Sequence, residues 1–409
     1  MLSALLGQSG NTATKCCGVG QVHFIKLSKM SYIVLARKYR PTNFSQLKGQ
    51  SVLVQTLTNA FLNKKLHHAY LLTGIRGVGK TTTARIIAKT LNCSELKTEN
   101  NSLVPCEQCP NCLSAKNSSH PDILEFDAAS HTGIDDIKNM LEGISYSPAL
   151  GKHRVFIVDE VHMLSTKAFN SLLKTLEEPP ENVIFIFATT EIQKVPVTIL
   201  SRCQKFVLSP LSNKEMAEHL QSIATKENII IENEALELIS YKSGGSVRDA
   251  LSILDQSAMK SVDAVTKETI REMLSIASND SIALLYQNII TANIQSVIIT
   301  LKDIKRHGVS EQSILEEFLE HLYQEIHKKI KDDKPYSNLL RLWNIILPAT
   351  QELSYAFNKY ATLEMIFIKA THIHALPSVE NLVHSISENK LIEVLKEFPS
   401  ASIEKTTQA

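Results

Sequence analysis

The sequence of 409 residues contains no apolar run approaching the roughly 18 residues a membrane-spanning helix needs, so its apolar content reads as buried core. It also lacks net charge. With 43 Lys and Arg against 42 Asp and Glu, bulk electrostatics point to no nucleic acid, membrane or acidic partner, and any DNA contact has to come from a local patch. The three parts of a secretory signal are absent, which makes the cytosol the expected compartment. Residues 1–29 contain no Asp, Glu or Arg and little periodicity. An arginine-free stretch is a poor organelle presequence, so it reads as a disordered extension or a start called too early, with Met30 the preferred start. There is no internal repeat and no low-complexity tract. What is present is 44% hydrophobic residues on a chain too long for one core, which predicts two or three folded domains.

From Met30 to about Ser209, short apolar runs alternate with helical patterns, the signature of a mostly parallel sheet covered by helices. Strands are expected at 69–73, 123–126, 155–158, 183–188 and 205–208. Phe169, Leu172, Leu173 and Leu176 share one face of a helix that Glu178-Pro179-Pro180 ends. After Pro210 strand signals largely disappear. Residues 210–274 read as a small helical domain, opened by Ser212 as N-cap with Glu215 three positions on. Residues 275–396 are helical again, with Ile282, Leu285 and Ile289, or Ile314, Phe318, Leu322 and Ile326, forming faces for a core or a subunit interface. Residues 397–409 are a tail.

Gly74-Ile75-Arg76-Gly77-Val78-Gly79-Lys80-Thr81 fits the phosphate-cradling loop G-x-x-x-x-G-K-[ST] at every fixed position, between an apolar strand and a helix that continues through Thr82. Glycines let inward-pointing N–H groups and the helix N-terminus hold phosphate oxygens. Lys80 neutralises the outer phosphates and Thr81 ligates Mg2+, so the chain is expected to bind a nucleoside triphosphate. The run Val155 to Val158 ends in Asp159-Glu160, where a P-loop nucleotidase places its acidic motif. Asp159 holds Mg2+ directly or through water, and Glu160 polarises the attacking water.

Cys93, Cys106, Cys109 and Cys112 form C-x12-C-x2-C-x2-C among the turn residues Pro105, Pro110 and Asn111, and four thiolates on tight loops suit tetrahedral Zn2+. With every position a thiolate, no coordination site stays open, so the metal is expected to be structural. Cys16, Cys17 and Cys203 fall outside the cluster, and Cys203 reads as a small buried apolar residue.

These motifs, with Tyr32 to Pro41 at the start, Asp159-Glu-Val-His-Met-Leu164, Leu173 to Pro180, Ala188-Thr-Thr190, Leu200-Ser-Arg-Cys203 and Gly245 to Ala250, closely resemble the gamma/tau subunits of the bacterial DNA polymerase III clamp loader over residues 31–275. The resemblance implies an AAA+ P-loop module at 30–209 with a zinc insertion at about 93–112, a helical lid at 210–274 and an all-α collar at 275–396. It implies an ATPase that works with delta- and delta-prime-type subunits, further gamma/tau copies, the sliding clamp and primer-template DNA in the bacterial cytoplasm, with the polymerase core reached through a longer form.

It also implies roles that periodicity does not supply. Thr190 resembles the sensor beside the terminal phosphate, its alternative being a strand-end cap. Arg202 resembles the arginine finger that reaches a neighbour's ATP, its alternative being a surface ion pair. Arg248 resembles the second sensor, acting on ATP of its own subunit, its alternative being a pair with Asp249. Tyr39, Arg40 and Pro41 resemble the segment bordering the adenine. His131 departs from the arginine of many relatives, which puts a DNA phosphate contact there in doubt, and the chain's end at 409 resembles the shorter, gamma-like form. A ring translocase on branched DNA and a nucleotide-silent scaffold are the alternative functions. The first should lack the cysteine cluster, and the second has no need of Lys80, Asp159, Glu160 and Arg202 together.

Overall fold

The computed structural model describes residues 32–99, 102–130, 134–261 and 263–375, so the 1–29 extension, Met30, His131 and the 397–409 tail lie outside the described residues. Among the described residues seven strands are formed, β1 Ala69–Thr73, β2 Leu96–Glu99, β3 Ser102–Pro105, β4 Ile123–Asp127, β5 Arg154–Asp159, β6 Val183–Thr189 and β7 Gln204–Val207. Five of them make a parallel sheet in the order β4-β5-β6-β1-β7, while β2 and β3 pair as an antiparallel hairpin that sequence patterning did not anticipate. All five expected sheet strands are present, β1 with the expected bounds and the other four differing by one residue at one or both ends.

β1 and β6 are buried along their whole length because helices cover both faces of the sheet, as their near-continuous apolar sequences require. The helices of this part are α1 Leu35–Lys38, α2 Ser51–Leu62, α3 Lys80–Asn92, α4 Pro110–Lys116, α5 Ile134–Glu142, α6 Thr166–Glu177 and α7 Val197–Leu200. Alternate strand residues point to opposite sides, so Tyr70, Leu72, Ile157 and Ile186 pack on α2 and α3, while Leu71, Phe156, Val158 and Phe185 pack on α5 and α6. In α6, capped by Ser165, Phe169, Leu172 and Leu176 are buried and Leu173 half-buried. Parallel register brings the carboxyl ends of β1, β5 and β6 to one edge, with Thr73 opposite Thr189 and Asp159 one residue beyond the paired Val158 and Phe187. Such an edge is where ligands bind in open α/β sheets.

Four helices follow, α8 Asn213–Lys226, α9 Asn233–Lys242, α10 Val247–Lys260 and α11 Lys267–Met273. The expected capping box is formed, with Ser212 Oγ accepting from Glu215 N at 3.3 Å and Ser212 N donating to Glu215 Oε2 at 3.1 Å. Leu35 is buried in the core of this helical unit, and its N–H donates to Asp255 Oδ2 at 3.2 Å. The opening segment therefore packs on the lid helices although it belongs by sequence to the P-loop module. The last five helices, α12 Asn279–Ile290, α13 Ile294–Arg306, α14 Glu311–Lys331, α15 Ser337–Tyr355 and α16 Lys359–Ala375, share one core that takes in both apolar faces singled out in the sequence. Among the described residues no helix is long and apolar enough to cross a membrane.

Candidate nucleotide site and metal centre

β1 delivers the chain to Gly74, and α3 begins at Lys80, so the glycine-rich loop bridges strand and helix at the carboxyl edge of the sheet. Gly77 has φ +76°, and a Cβ there would lie 2.0 Å from Ser246 Oγ and 3.2 Å from the Arg248 Cβ. Only glycine lets the lid approach the loop this closely. Lys80 is buried, and its Nζ donates to the carbonyls of Gly74 and Ile75 at 3.0 Å each. Burial lowers the Lys80 pKa, while Glu160 and Asp159 pull it back up. Thr81 Oγ1 donates to Asp159 Oδ2 at 2.5 Å, so the two residues expected to hold Mg2+ are already side by side. A hydroxyl and a carboxylate are the hard oxygen donors Mg2+ takes, and they fit it. Burial pushes the Asp159 carboxyl up despite that hydrogen bond and one from Glu160 N, so a nearby cation would stabilise its charged form.

Glu160 takes φ +46°, a left-handed conformation uncommon for a non-glycine residue and often found at functional sites. Its Oε2 accepts from Thr190 N at 3.2 Å and from Thr190 Oγ1 at 3.0 Å. His162, two residues on, stands with Nδ1 3.0 Å from Thr189 Oγ1 and 3.4 Å from Glu160 Oε2, while its Nε2 lies 3.4 Å from Glu191 Oε1. Glu160 is thus fastened to the end of β6 and to the following turn.

Arg40 Nε donates to Thr82 Oγ1 at 3.0 Å, and Arg248 N donates to Gly77 O at 3.3 Å. Burial lowers the Arg40 pKa first, and the charges of Arg85 and Arg248 lower it further. Arg85 and Arg248 thus repel the Arg40 guanidinium, while Glu125 and Asp159 offset part of that repulsion. Arg85 itself pairs bidentately with Glu125, both contacts at 2.7 Å. Tyr39 turns its hydroxyl to Glu227 on the lid, whereas Arg40 of the Tyr39-Arg40-Pro41 segment reaches the P-loop helix. Arg202 is placed elsewhere. It pairs with Glu177 at 2.5 Å and donates to Thr198 O at 2.8 Å, partners on α6 and α7 outside the P-loop.

The four cysteine sulfurs converge within 4.8 Å of one another. A Zn–S distance of about 2.3 Å sets sulfur separations near 3.8 Å in a tetrahedron, so the cluster is of the right size. Backbone N–H groups point at the sulfurs as in tight metal knuckles, Cys106 N to Cys93 Sγ at 3.3 Å, Cys109 N to Cys106 Sγ at 3.4 Å and Cys112 N to Cys109 Sγ at 3.4 Å. Burial pushes the Cys93 and Cys112 thiols up, and burial acts the same way on Cys109, where N–H groups of Ser94 and Cys112 outweigh it and bring the value to about 6. Packed thiols in this state are suited to deprotonation by a bound dication, and the donor set fits zinc. The hairpin of β2 and β3 separates Cys93 from the other three, and Cys109 caps α4. In the sequence Asn111 is marked only as a turn residue here, and Asn92 is not marked at all. Asn111 Nδ2 donates to Asn92 O at 2.7 Å, and the Asn92 side chain holds His153 N at 2.8 Å and His153 O at 2.9 Å.

A parallel sheet carrying a P-loop after β1, an acidic pair after β5 and a lid whose helix start touches the loop defines a P-loop ATPase of the AAA+ class. Residues 49–212 match the family model described as DNA polymerase III, delta subunit, 215–261 match that of the DNA polymerase III clamp loader subunit, ATPase lid domain, and 265–386 match DNA polymerase III subunits gamma and tau domain III. The chain is 35% identical over 370 residues to the DNA polymerase III subunit gamma of Buchnera aphidicola subsp. Baizongia pistaciae, covering 85% of this chain and 99% of that one. It is 36% identical over 364 residues to the DNA polymerase III subunit tau of Escherichia coli, covering 84% of this chain and 56% of that one, so it spans about half the length of the tau relative. It is also similar to the RuvB Holliday junction branch migration motor of Thermotoga maritima, at 20% identity and a TM-score of 0.42, covering 61% of this chain and 79% of that one. The chain belongs to the gamma/tau family of DNA polymerase III clamp-loader subunits.

Proposed function

We propose that this chain is an ATP-driven subunit that opens the sliding clamp and loads it at primer-template junctions, assembled with delta- and delta-prime-type subunits and further gamma/tau copies, while polymerisation belongs to partner subunits. The observation that supports this reading is a set of polar side chains gathered around the glycine-rich loop of one chain, with Arg202 paired elsewhere. Lys80, Thr81, Asp159, Glu160 and Thr190 are assembled, Arg248 begins on the loop, and Arg202 faces α6. Backbone amides of Gly74 to Thr82 and Lys80 bind the phosphates, with Arg248 alongside, and Tyr39, Arg40 and Pro41 border the adenine. Thr81 and Asp159 hold Mg2+, which supplies charge neutralisation at the phosphates. Glu160 takes the proton of the attacking water, and Thr190 orients its carboxylate. Arg202 of one subunit completes the site of the next. Cys93, Cys106, Cys109 and Cys112 hold a structural Zn2+. ATP then acts as a switch, since the ligand shifts the assembly toward the state it binds better, and hydrolysis releases clamp and DNA.

Lys80→Ala and Glu160→Gln in the reconstituted loader separate binding from chemistry. The first should abolish ATP binding, whereas the second should bind ATP normally and remain on clamp and DNA, because it loses only the base. Equal binding defects in the two variants would show that Glu160 has another role.

A further inference from the structure

Glu107 lies between two of the cysteine ligands, yet its carboxylate turns away from them. Its backbone is left-handed, with φ +60°. Oε1 accepts from Thr42 Oγ1 at 2.9 Å and from Lys89 Nζ at 3.1 Å. Lys89, on α3, is itself buried, and its Nζ also donates to Thr42 O at 3.1 Å. Thr42 is therefore gripped twice, at its hydroxyl by the cysteine insertion and at its carbonyl by the P-loop helix. Two residues earlier the same segment touches that helix again, through Arg40 Nε and Thr82 Oγ1. A buried ammonium with two oxygen acceptors is costly to disturb, because removing either acceptor leaves a desolvated charge short of a partner. The knuckle thus reaches past its own metal site to the strap that runs into the nucleotide site.

We propose that Glu107 is a positioning residue, which through Thr42 and Lys89 fixes the strap of residues 40–42 against the P-loop helix, so that the four-cysteine insertion governs how tightly the purine end of a nucleoside triphosphate is held. This rests on the reading of Tyr39 to Pro41 as the purine border. The polyphosphate end is held by the loop itself, so the effect of loosening the strap falls on the nucleoside.

Equilibrium binding of ATP and of inorganic tripolyphosphate to the full chain, both with Mg2+, separates the two ends, with zinc measured in each variant. Glu107→Ala and Thr42→Val should each weaken ATP by about 3- to 10-fold, the equivalent of one hydrogen bond, while tripolyphosphate stays within about twofold. The double variant should be no weaker than the worse single, because both break the same link. Thr42→Val lies outside the knuckle and should retain its zinc, which keeps the test valid if Glu107→Ala loses the metal. Pro41→Gly probes the strap directly and should lower ATP affinity relative to tripolyphosphate. If Pro41→Gly does so while Thr42→Val leaves ATP binding at the wild-type level, or weakens both probes equally, the positioning role is wrong. If Pro41→Gly leaves the ratio of the two affinities unchanged, the purine-border reading fails, and the proposal fails with it.

Discussion

Gly77→Ala tests whether the lid sits on the P-loop of its own chain in solution. The added methyl meets Ser246 Oγ at 2.0 Å, too close for any Cβ, at a backbone φ of +76°. Alanine in that conformation costs about 1–2 kcal/mol. Ser246 has to swing away, and because its Oγ accepts from Asp249 N at 3.3 Å as the N-cap of α10, the displaced cap adds about 1 kcal/mol. A total of about 2–3 kcal/mol, if expressed in the ATP-binding arrangement, corresponds to a loss of roughly 30- to 150-fold in ATP affinity. Ser246→Gly provides the control, since glycine caps helices nearly as well as serine and removes both the Oγ and the Cβ, which lies 3.3 Å from the new methyl. The double variant should therefore bind ATP about fivefold more tightly than Gly77→Ala alone, a coupling of about 1 kcal/mol, with the backbone term left in place. Fluorescent-nucleotide titration of the purified chain measures all three. Strict additivity would refute the reasoning, since it would mean that Ser246 and Gly77 do not meet and that Arg248 is not delivered to this ATP site.

Arg202→Ala should leave ATP binding by the isolated chain normal and lower hydrolysis by the assembled loader by roughly 10^3, and mixing it with Lys80→Ala chains should restore activity only where an intact Arg202 faces an intact P-loop. Equal slowing in monomer and complex would place the finger in cis. Cys109→Ser should release a zinc bound one to one in the wild type and destabilise the insertion, while ATP binding declines less; a metal-free wild type of unchanged stability would contradict the assignment. Asp122 is buried and accepts N–H bonds from Ala149, Leu150 and Gly151, each at 2.7 Å. Burial acts to raise its pKa, but those three bonds outweigh it and hold the carboxyl below its ordinary value. As pH falls the unfolded chain takes up the proton first, so this contribution is complete above about pH 5 and disappears as pH drops through the folded value, below about 4. Asp122→Asn should cost about 2–3 kcal/mol at neutral pH and flatten the acid limb of unfolding as pH falls through and below the ordinary carboxylate range; parallel wild-type and variant curves would show the carboxylate is not charged in the fold.

Features with a local cause were legible. The sheet strands are apolar runs bounded by turns, the P-loop and Asp159-Glu160 are contiguous motifs, and the spacing of Cys93, Cys106, Cys109 and Cys112 carries the chemistry of the cluster. The hairpin of β2 and β3 was missed because Leu96 to Glu99 is mostly polar, with Leu96 to Thr98 exposed, and Ser102 to Pro105 is too short a run for its buried Leu103 and Pro105 to mark a hydrophobic period.

What sequence could not supply is where a charged side chain spends its hydrogen bonds across long separations. Lys89, Glu107 and Thr42 meet across 18 to 65 positions, and each alone reads as an ordinary surface residue. The same holds for Tyr32 and Leu35, which reach Asp255 on the lid across 223 and 220 positions. These two cases share a consequence. The opening segment is tied to the lid at Tyr32, Leu35 and Tyr39, then to the P-loop helix at Arg40, and finally to the cysteine insertion at Thr42. Lid movement must therefore pull on a strap whose far end is anchored at the metal knuckle. Because Arg248 N donates to Gly77 O from the other side, the lid meets the P-loop region through two separate links, one direct and one through the strap.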